Sequence, residues 1–415
     1  MRALQVWLHE EPVGVLSEKS VGGLSFTYTD TWLAASGRPP LSRSLPPRAE
    51  PLEGPAVLAF FGGLLPEGSV RRRVAENLGV SEDNDFALLS ALGSDCAGAL
   101  RLLAIGDPRP EAASPAPLSE TELAALVEQL PRRPLLAGQD GVRLSLAGAQ
   151  SKLPLRWIGG EYALSTFDAP STHILKPESP DFPGLAAVEA FCLDLARRAG
   201  LPAARADWLR VGDTPCLRVE RYDRELDPVT GKVLRIHQED FCQALGVPSH
   251  RKYQQEGGPA ASDLLVCIRD HSTAPVLDLR QFLDLLIFNV LIGNADAHGK
   301  NFAWRYPNGE RRLAPAYDLV ATALWPELSC RMAMRVGQAK FMNEVTSDHF
   351  LKFASANRIG RSLFRVRMEE MCSRITAHVP AALSDAPELP ESFREQLASR
   401  IPQRARILAQ SRPVN

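Results

Sequence analysis

Charge of one sign is the first thing this chain lacks. Its 47 Lys and Arg face 49 Asp and Glu, a formal net charge of −2 over 415 residues. Bulk electrostatics therefore demands neither a nucleic acid nor an anionic membrane as partner. The local basic spot Arg71-Arg72-Arg73 reads as a solvated helix face. Cysteine is sparse too: Cys96, Cys192, Cys216, Cys242, Cys267, Cys330 and Cys372 are scattered and odd in number, and none forms a Cys-x-x-Cys. That argues against a zinc site or a disulfide frame and suits a reducing compartment. No secretory leader is visible, because Met1-Arg2-Ala3-Leu4-Gln5-Val6 has no apolar core and no small-residue cleavage site. The most apolar run, Leu283 to Ile292, is interrupted by Asp284 and Asn289 and is too short to span a bilayer. No internal repeat is evident. The expectation is a soluble cytoplasmic protein with no membrane partner, long enough for two or three subdomains.

What is present sorts by texture into regions 1–105, 106–225 and 226–415. The first alternates like strands at Ala3 to Leu8 and Leu24 to Tyr28, then shows helical spacing over 69–79. A Pro/Ala-rich linker from Gly106 to Pro117 leads to Ser119-Glu120-Thr121-Glu122, a capping box opening a helix to about Leu130. Strands are then expected at 142–146, 153–158, 173–176, 206–210 and 216–222, with a helix from 184 to 199 that stops at Gly200. Beyond 238 the pattern is mostly helical. The helix at 278–292 is apolar nearly all round, as a buried helix is.

The chemistry concentrates in Asn294-Ala-Asp296-Ala-His298-Gly-Lys300-Asn301 and, after a predicted hairpin over 302–315, in Ala316-Tyr317-Asp318. Phosphoryl transfer needs this set of groups. One carboxylate orients the attacking hydroxyl, while an Asn and a second carboxylate hold Mg²⁺ against the phosphates of ATP. Asp296 fits the first role, Asn301 and Asp318 the second, and His298 and Lys300 stand where a γ-phosphate would be met. Since no Cys or His lies at ligand spacing from His298, a zinc role is set aside.

Upstream, Ala147-Gly148-Ala149-Gln150-Ser151-Lys152 is either a loop that cradles phosphates or an ordinary hairpin turn. Lys176, ending a strand, and Glu189, on the next helix, are either the pair that positions the α/β-phosphates or a surface salt bridge. Glu220, Arg221 and Tyr222 stand where a hinge strand would meet adenine, or are plain sheet residues. Ser145 precedes the loop, so a phosphate on it would set negative charge beside that of ATP. Periodicity alone makes it a strand Ser on a solvated face. Ser151 is a second loop hydroxyl.

Together these residues resemble the HipA family of bacterial toxin serine/threonine kinases. The resemblance rests on Ser145-Leu-Ala-Gly-Ala-Gln150-Ser-Lys152, His173-Ile-Leu-Lys176, Val219-Glu-Arg-Tyr-Asp223, Gln238-Glu-Asp240, Gly293 to Asn301, and Tyr317-Asp318. It implies an α+β, two-lobed protein-kinase-like fold with a β-rich N-terminal subdomain and an all-helical C-terminal lobe. It also implies ATP and Mg²⁺ as cofactors, Asp296 as catalytic base, and Asn301 with Asp318 as metal ligands. Ala147 to Lys152 (with Gly148, Ala149, Gln150 and Ser151), Lys176, His298, Lys300 and Tyr317 would surround ATP, with Glu220, Arg221 and Tyr222 at adenine and Glu189 paired to Lys176. Ser145 would be the autophosphorylation site that ejects the loop and silences the kinase. The resemblance implies a HipB-like helix-turn-helix antitoxin as partner. The best-known member phosphorylates glutamyl-tRNA synthetase, which halts translation and favours persistence, so an aminoacyl-tRNA synthetase or another translation-related protein is the expected substrate class.

This sequence departs from the family pattern in two places. Where the best-known member carries a basic run that contacts operator DNA, Gly337 to Glu344 holds a single Lys, so DNA is expected only through the antitoxin. Ser151 leaves open which loop Ser is modified. Two rivals stand beside the protein-kinase reading. A small-molecule phosphotransferase on the same scaffold would also use Asp-x-His-x-x-Asn. A non-enzymatic co-repressor partner of an antitoxin would not need the intact Lys176, Asp296, Asn301 and Asp318.

Overall fold

The computed structural model describes residues 2–19, 23–35, 37–106, 115–139 and 143–410. The chain divides into two compact units: Met1–Ser179 with Leu209–His250 and Ala303–Glu310, and Pro180–Trp208 with Arg251–Phe302 and Arg311–Asn415.

The first unit holds two cores. One lies on a five-stranded antiparallel sheet ordered Leu52–Glu53, Leu24–Tyr28, Glu11–Glu18, Ala3–Leu8, Leu100–Ala104. Alternation in Ala3–Leu8 buries Leu4, Val6 and Leu8, and helices Pro55–Gly62 and Asp85–Leu92 bring Phe60, Phe61 and Phe86 to the same cluster. Gly14 is required there, since a Cβ would fall 2.4 Å from the Phe26 ring. The other core packs against the antiparallel strands Thr214–Glu220, His173–Pro177, Leu153–Ile158, Glu161–Leu164 and Pro117–Leu118, in that order. Its helix Glu120–Gln129 opens on the expected box: Ser119 Oγ accepts from Glu122 N–H, and the Glu122 carboxylate accepts from Ser119 N–H. The strand His237–Asp240 pairs with Ala303–Tyr306.

The second unit is built on helices Leu185–Arg198, Ala261–His271, Pro275–Ile292, Ser347–Ala356, Arg361–Ser384 and Glu391–Ala409. Pro275–Ile292 is buried without interruption from Phe282 to Ile292. Its acidic breaks are paired: Asp284 accepts from Arg367, and Asp278 from Arg312 and Ser272 Oγ. Buried carboxylates without such partners would cost several kcal/mol.

Two expectations are corrected. No strand forms over 143–146, and Val142 lies outside the described residues. Leu144 makes one parallel bridge, to Asp95, and Leu144, Ser145 and Leu146 are all buried, so the alternation does not mark a solvated face. The second unit also carries, besides its helices, a hairpin of Arg331–Val336 and Ala339–Phe341 that turns through Gly337 at φ +58. A left-handed residue at the turn is what lets these two short runs pair.

Candidate active site

The Asp296 segment begins where the helix Pro275–Ile292 ends, at Gly293 with φ +78. Asn294 returns to the helix twice: its N–H donates to Asn289 O at 2.8 Å and its Nδ2 to Asn289 Oδ1 at 2.8 Å. Its own Oδ1 then accepts from Asp296 N–H at 3.1 Å. Ala295 is pinned from both sides, its N–H donating to Thr322 Oγ1 and its carbonyl accepting from Ala333 N–H, each at 2.8 Å. Asp296 O accepts from His298 N–H at 2.8 Å and from Asn301 Nδ2 at 3.2 Å, which winds the segment into a single turn. Around this fixed backbone the Asp296 side chain is half exposed, with 50% of its surface open.

Tyr253 Oη donates to Asp296 Oδ1 at 2.9 Å, and His298 Nε2 lies 4.0 Å from Oδ2. His298 and Lys300 are buried, and Lys300 O accepts from Tyr317 Oη at 2.6 Å. Asp318 sits in the left-handed region at φ +56. A non-glycine residue pays about 1–2 kcal/mol for that conformation, least when its side chain is short and polar. Asn301, Tyr317 and Asp318 line one small cavity together with Asn289 and Asn294.

In the first unit, the segment 144–152 is held by residues far away in sequence. Ser145 N–H donates to Asp95 O at 3.1 Å and Ser145 Oγ to Leu64 O at 2.8 Å, and no part of the residue reaches solvent. Gly148 accepts from Glu67 N–H at 3.1 Å and bridges Pro66. Lys152 Nζ doubles back onto Ala147 O at 2.6 Å. Gly148 is at φ +112, a backbone conformation that favours glycine over any L side chain. Gln150 Nε2 reaches Pro177 O at 3.4 Å, and Ser151 is half-buried. The segment is thus a closed loop seated on 64–67, not a plain hairpin turn.

Lys176 lies mid-sheet opposite Leu217, and Glu189 lies on Leu185–Arg198 of the second unit. Both side chains are buried, which removes the surface salt-bridge reading. Arg221 is expected to meet adenine through its backbone, and its side chain is engaged elsewhere. Its N–H donates to Thr172 O at 2.9 Å, and its guanidinium is buried against Asp223, Ser171 Oγ and Cys96 O. Tyr222 Oη donates to Gln238 Oε1 at 2.8 Å.

The Arg221 guanidinium belongs to a network that sequence reasoning missed, with the side chains of Asp95, Asp223, Arg224 and Arg235 all buried. Burial pushes the Asp223 carboxyl up, but Arg221 and Arg224 outweigh it and bring it down to about 2. Asp95 is pulled below the carboxylate range in the same way, by Arg224, Arg235 and Arg221 against its burial. The charge-dense run Glu220 to Arg224 is a signal that could have found it, for charges on a buried strand end must find partners.

Residues 144–383 match the HipA-like C-terminal domain and residues 4–103 the HipA N-terminal domain. The chain belongs to the HipA family. It is similar to the putative kinase Y4mE of Sinorhizobium fredii, with 45% identity over 394 residues covering 94% of each chain. To the serine/threonine-protein kinase toxin HipA of Shewanella oneidensis it is 30% identical over 403 residues, covering 94% of this chain and 91% of that one. Its structure is similar to a chain of the Shewanella oneidensis complex of HipA, HipB and operator DNA. The TM-score is 0.86 at 28% identity, covering 98% of this chain and 97% of that one. This HipA-family chain is a kinase of α+β fold. Among the described residues no group of three or more His, Cys, Asp and Glu is placed to hold a metal ion. Among them, too, no helix is long and apolar enough to cross a membrane.

Proposed function

We propose that this chain transfers the γ-phosphoryl group of ATP to serine or threonine hydroxyls, both on a translation-related protein and on its own Ser145, as the toxin of a toxin–antitoxin pair. The observation that carries this reading is the meeting of Asn301 and Asp318 on one cavity, hydrogen-bonded through Asn301 to the segment that presents Asp296. An amide and a carboxylate make a poor all-protein metal cage. They suit Mg²⁺, which binds one or two protein carboxylates and takes its remaining ligands from phosphates and water. Asn301 and Asp318 would hold the ion, and when bound it supplies neutralisation of the charge that develops on the transferring phosphoryl group.

The remaining roles fall to the chain's own groups. Asp296, on a backbone fixed by Asn294 and Thr322, accepts a hydrogen bond from the acceptor hydroxyl and takes its proton as the new O–P bond forms. Backbone N–H groups of Ala147 to Lys152, with Lys176, bind phosphate oxygens, and backbone of Glu220 and Tyr222 meets adenine. Phosphorylation of Ser145 silences the enzyme. Its hydroxyl is buried against Leu64 O, so a dianionic phosphate has no place there and the loop must leave its seat.

The partner is a HipB-like helix-turn-helix antitoxin, a reading supported by the similarity to a chain of the HipA, HipB and operator complex. DNA is met through that antitoxin, in keeping with the net charge of −2. An aminoacyl-tRNA synthetase is the substrate class that the family resemblance supports. Calorimetry of Mg²⁺-ATP binding tests the metal assignment. Asp318→Asn is expected to weaken affinity by about tenfold or more while the chain stays folded. Unchanged affinity would remove Asp318 from this role.

A further inference from the structure

We propose that Tyr253 is the positioning residue of the Asp296 carboxylate, a role that rests on Asp296 being the base. Nothing in the Asn294 to Asn301 motif contains Tyr253; it comes from a separate turn of the same unit, 43 residues earlier in the chain. Its hydroxyl donates to Asp296 Oδ1 at 2.9 Å. The Asp296 carboxylate is half exposed on a fixed backbone, so its side-chain torsions set the direction in which it faces. The Tyr253 donor on Oδ1 helps to fix the plane in which the acceptor hydroxyl is received.

The donor itself is held rigidly. Tyr253 O accepts from both Glu256 N–H and Gly258 N–H at 2.9 Å, which winds 253–258 into a tight turn. Gly257 is left-handed at φ +85, and a Cβ on Gly258 would fall 2.0 Å from Arg251 O, so the turn closes only with this Gly-Gly pair. The Tyr253 ring meets the His298 ring edge-on, with centroids 5.4 Å apart, and the Lys252 ammonium lies 5.5 Å from the Tyr253 centroid.

One strand registers donor and acceptor against each other. Gln254 Oε1 accepts from Arg335 N–H at 2.8 Å, while Ala333 N–H of the same strand donates to Ala295 O at 2.8 Å. The turn carrying Tyr253 and the segment carrying Asp296 are therefore both docked on Arg331–Val336. That is the supporting arrangement a positioned base requires.

The test uses the full chain, dephosphorylated beforehand, with Mg²⁺-ATP as the only added substrate. Phosphate incorporated per chain is followed by intact mass at several ATP concentrations. Tyr253→Phe keeps the ring and removes the hydroxyl. It is expected to lower the maximal transfer rate roughly 10- to 100-fold, with the half-saturating ATP concentration within about twofold of the parent and an unchanged melting temperature. Transfer at the parental rate would overturn the proposal. A faster rate would overturn it too, by showing that the hydroxyl obstructs the base. So would phosphate on Tyr253 itself, or a slow rate accompanied by a lowered melting temperature. A parent chain with neither phosphate incorporation nor ADP release would instead overturn the kinase reading of Asp296, and this role with it.

Discussion

The segments 294–301 and 144–152 are both short loops of small and polar residues, yet local and distant contacts hold them in different proportion. In the first, Asn294 bonds to Asn289, Asp296 to Asn294 and Asn301 to Asp296, and Thr322, Ala333 and Tyr253 add contacts from farther along the chain. In the second, the partners are Leu64, Glu67 and Asp95. Local contacts tie a loop to the end of a helix, so its movement also requires that the helix end unwind. Distant contacts form a seat that stays intact when the loop leaves, at about 1 kcal/mol for each bond besides the cost of exposing Leu144 and Leu146. A catalytic base belongs on the first kind of support, and a segment displaced by its own phosphorylation belongs on the second.

That contrast can be broken in three places. The largest expected effect is at Asp296. Asp296→Asn should lower transfer about a thousandfold, or to background, with the melting temperature unchanged because the half-exposed side chain supports little packing. A large loss of stability in this variant would show that the segment is not held by its backbone alone.

The next effect lies in the first unit, at a buried polar group that joins distant segments. His237 is stacked on Tyr306 and bonded to Leu41 O, and burial lowers its pKa to about 4. The unfolded chain takes up that proton near 6.5. Between those values the unfolded state binds more protons, so stability falls with pH from about 6.5 to about 4, by roughly 3 kcal/mol in all. Urea unfolding at pH 7 and 4.5 should show this loss shrinking in His237→Gln. An equal loss in both proteins would contradict the assignment.

The smallest effect is at Ser145. Ser145→Ala removes the bond to Leu64 O and should cost about 1 kcal/mol in urea unfolding. A cost near zero would mean that this hydroxyl does not help to seat the loop.

The same contrast explains what could be read from the sequence. The Ser119 capping box, the buried helix ending at Gly293 and the meeting of Asn301 with Asp318 all depend on short spacings, which a sequence displays directly. The burial of Ser145 depends on Leu64 and Asp95, and the position of Arg221 on Ser171 and Cys96, so no local pattern names these partners. Alternation around Ser145 suggested a strand because period-two patterning assumes one wet face, and here both faces are covered. Tyr253 was invisible for the same reason. Its link to Asp296 runs through a turn that bonds to a strand formed much later in the chain.

The most direct test of the central claim is phosphopeptide mapping of the parent and of Asp296→Asn after incubation with Mg²⁺-ATP. A phosphate on the Ser145 peptide of the parent, missing from the variant, is the result this account predicts. Phosphate persisting on that peptide in the variant, or a parent that never acquires it and releases no ADP, would contradict it.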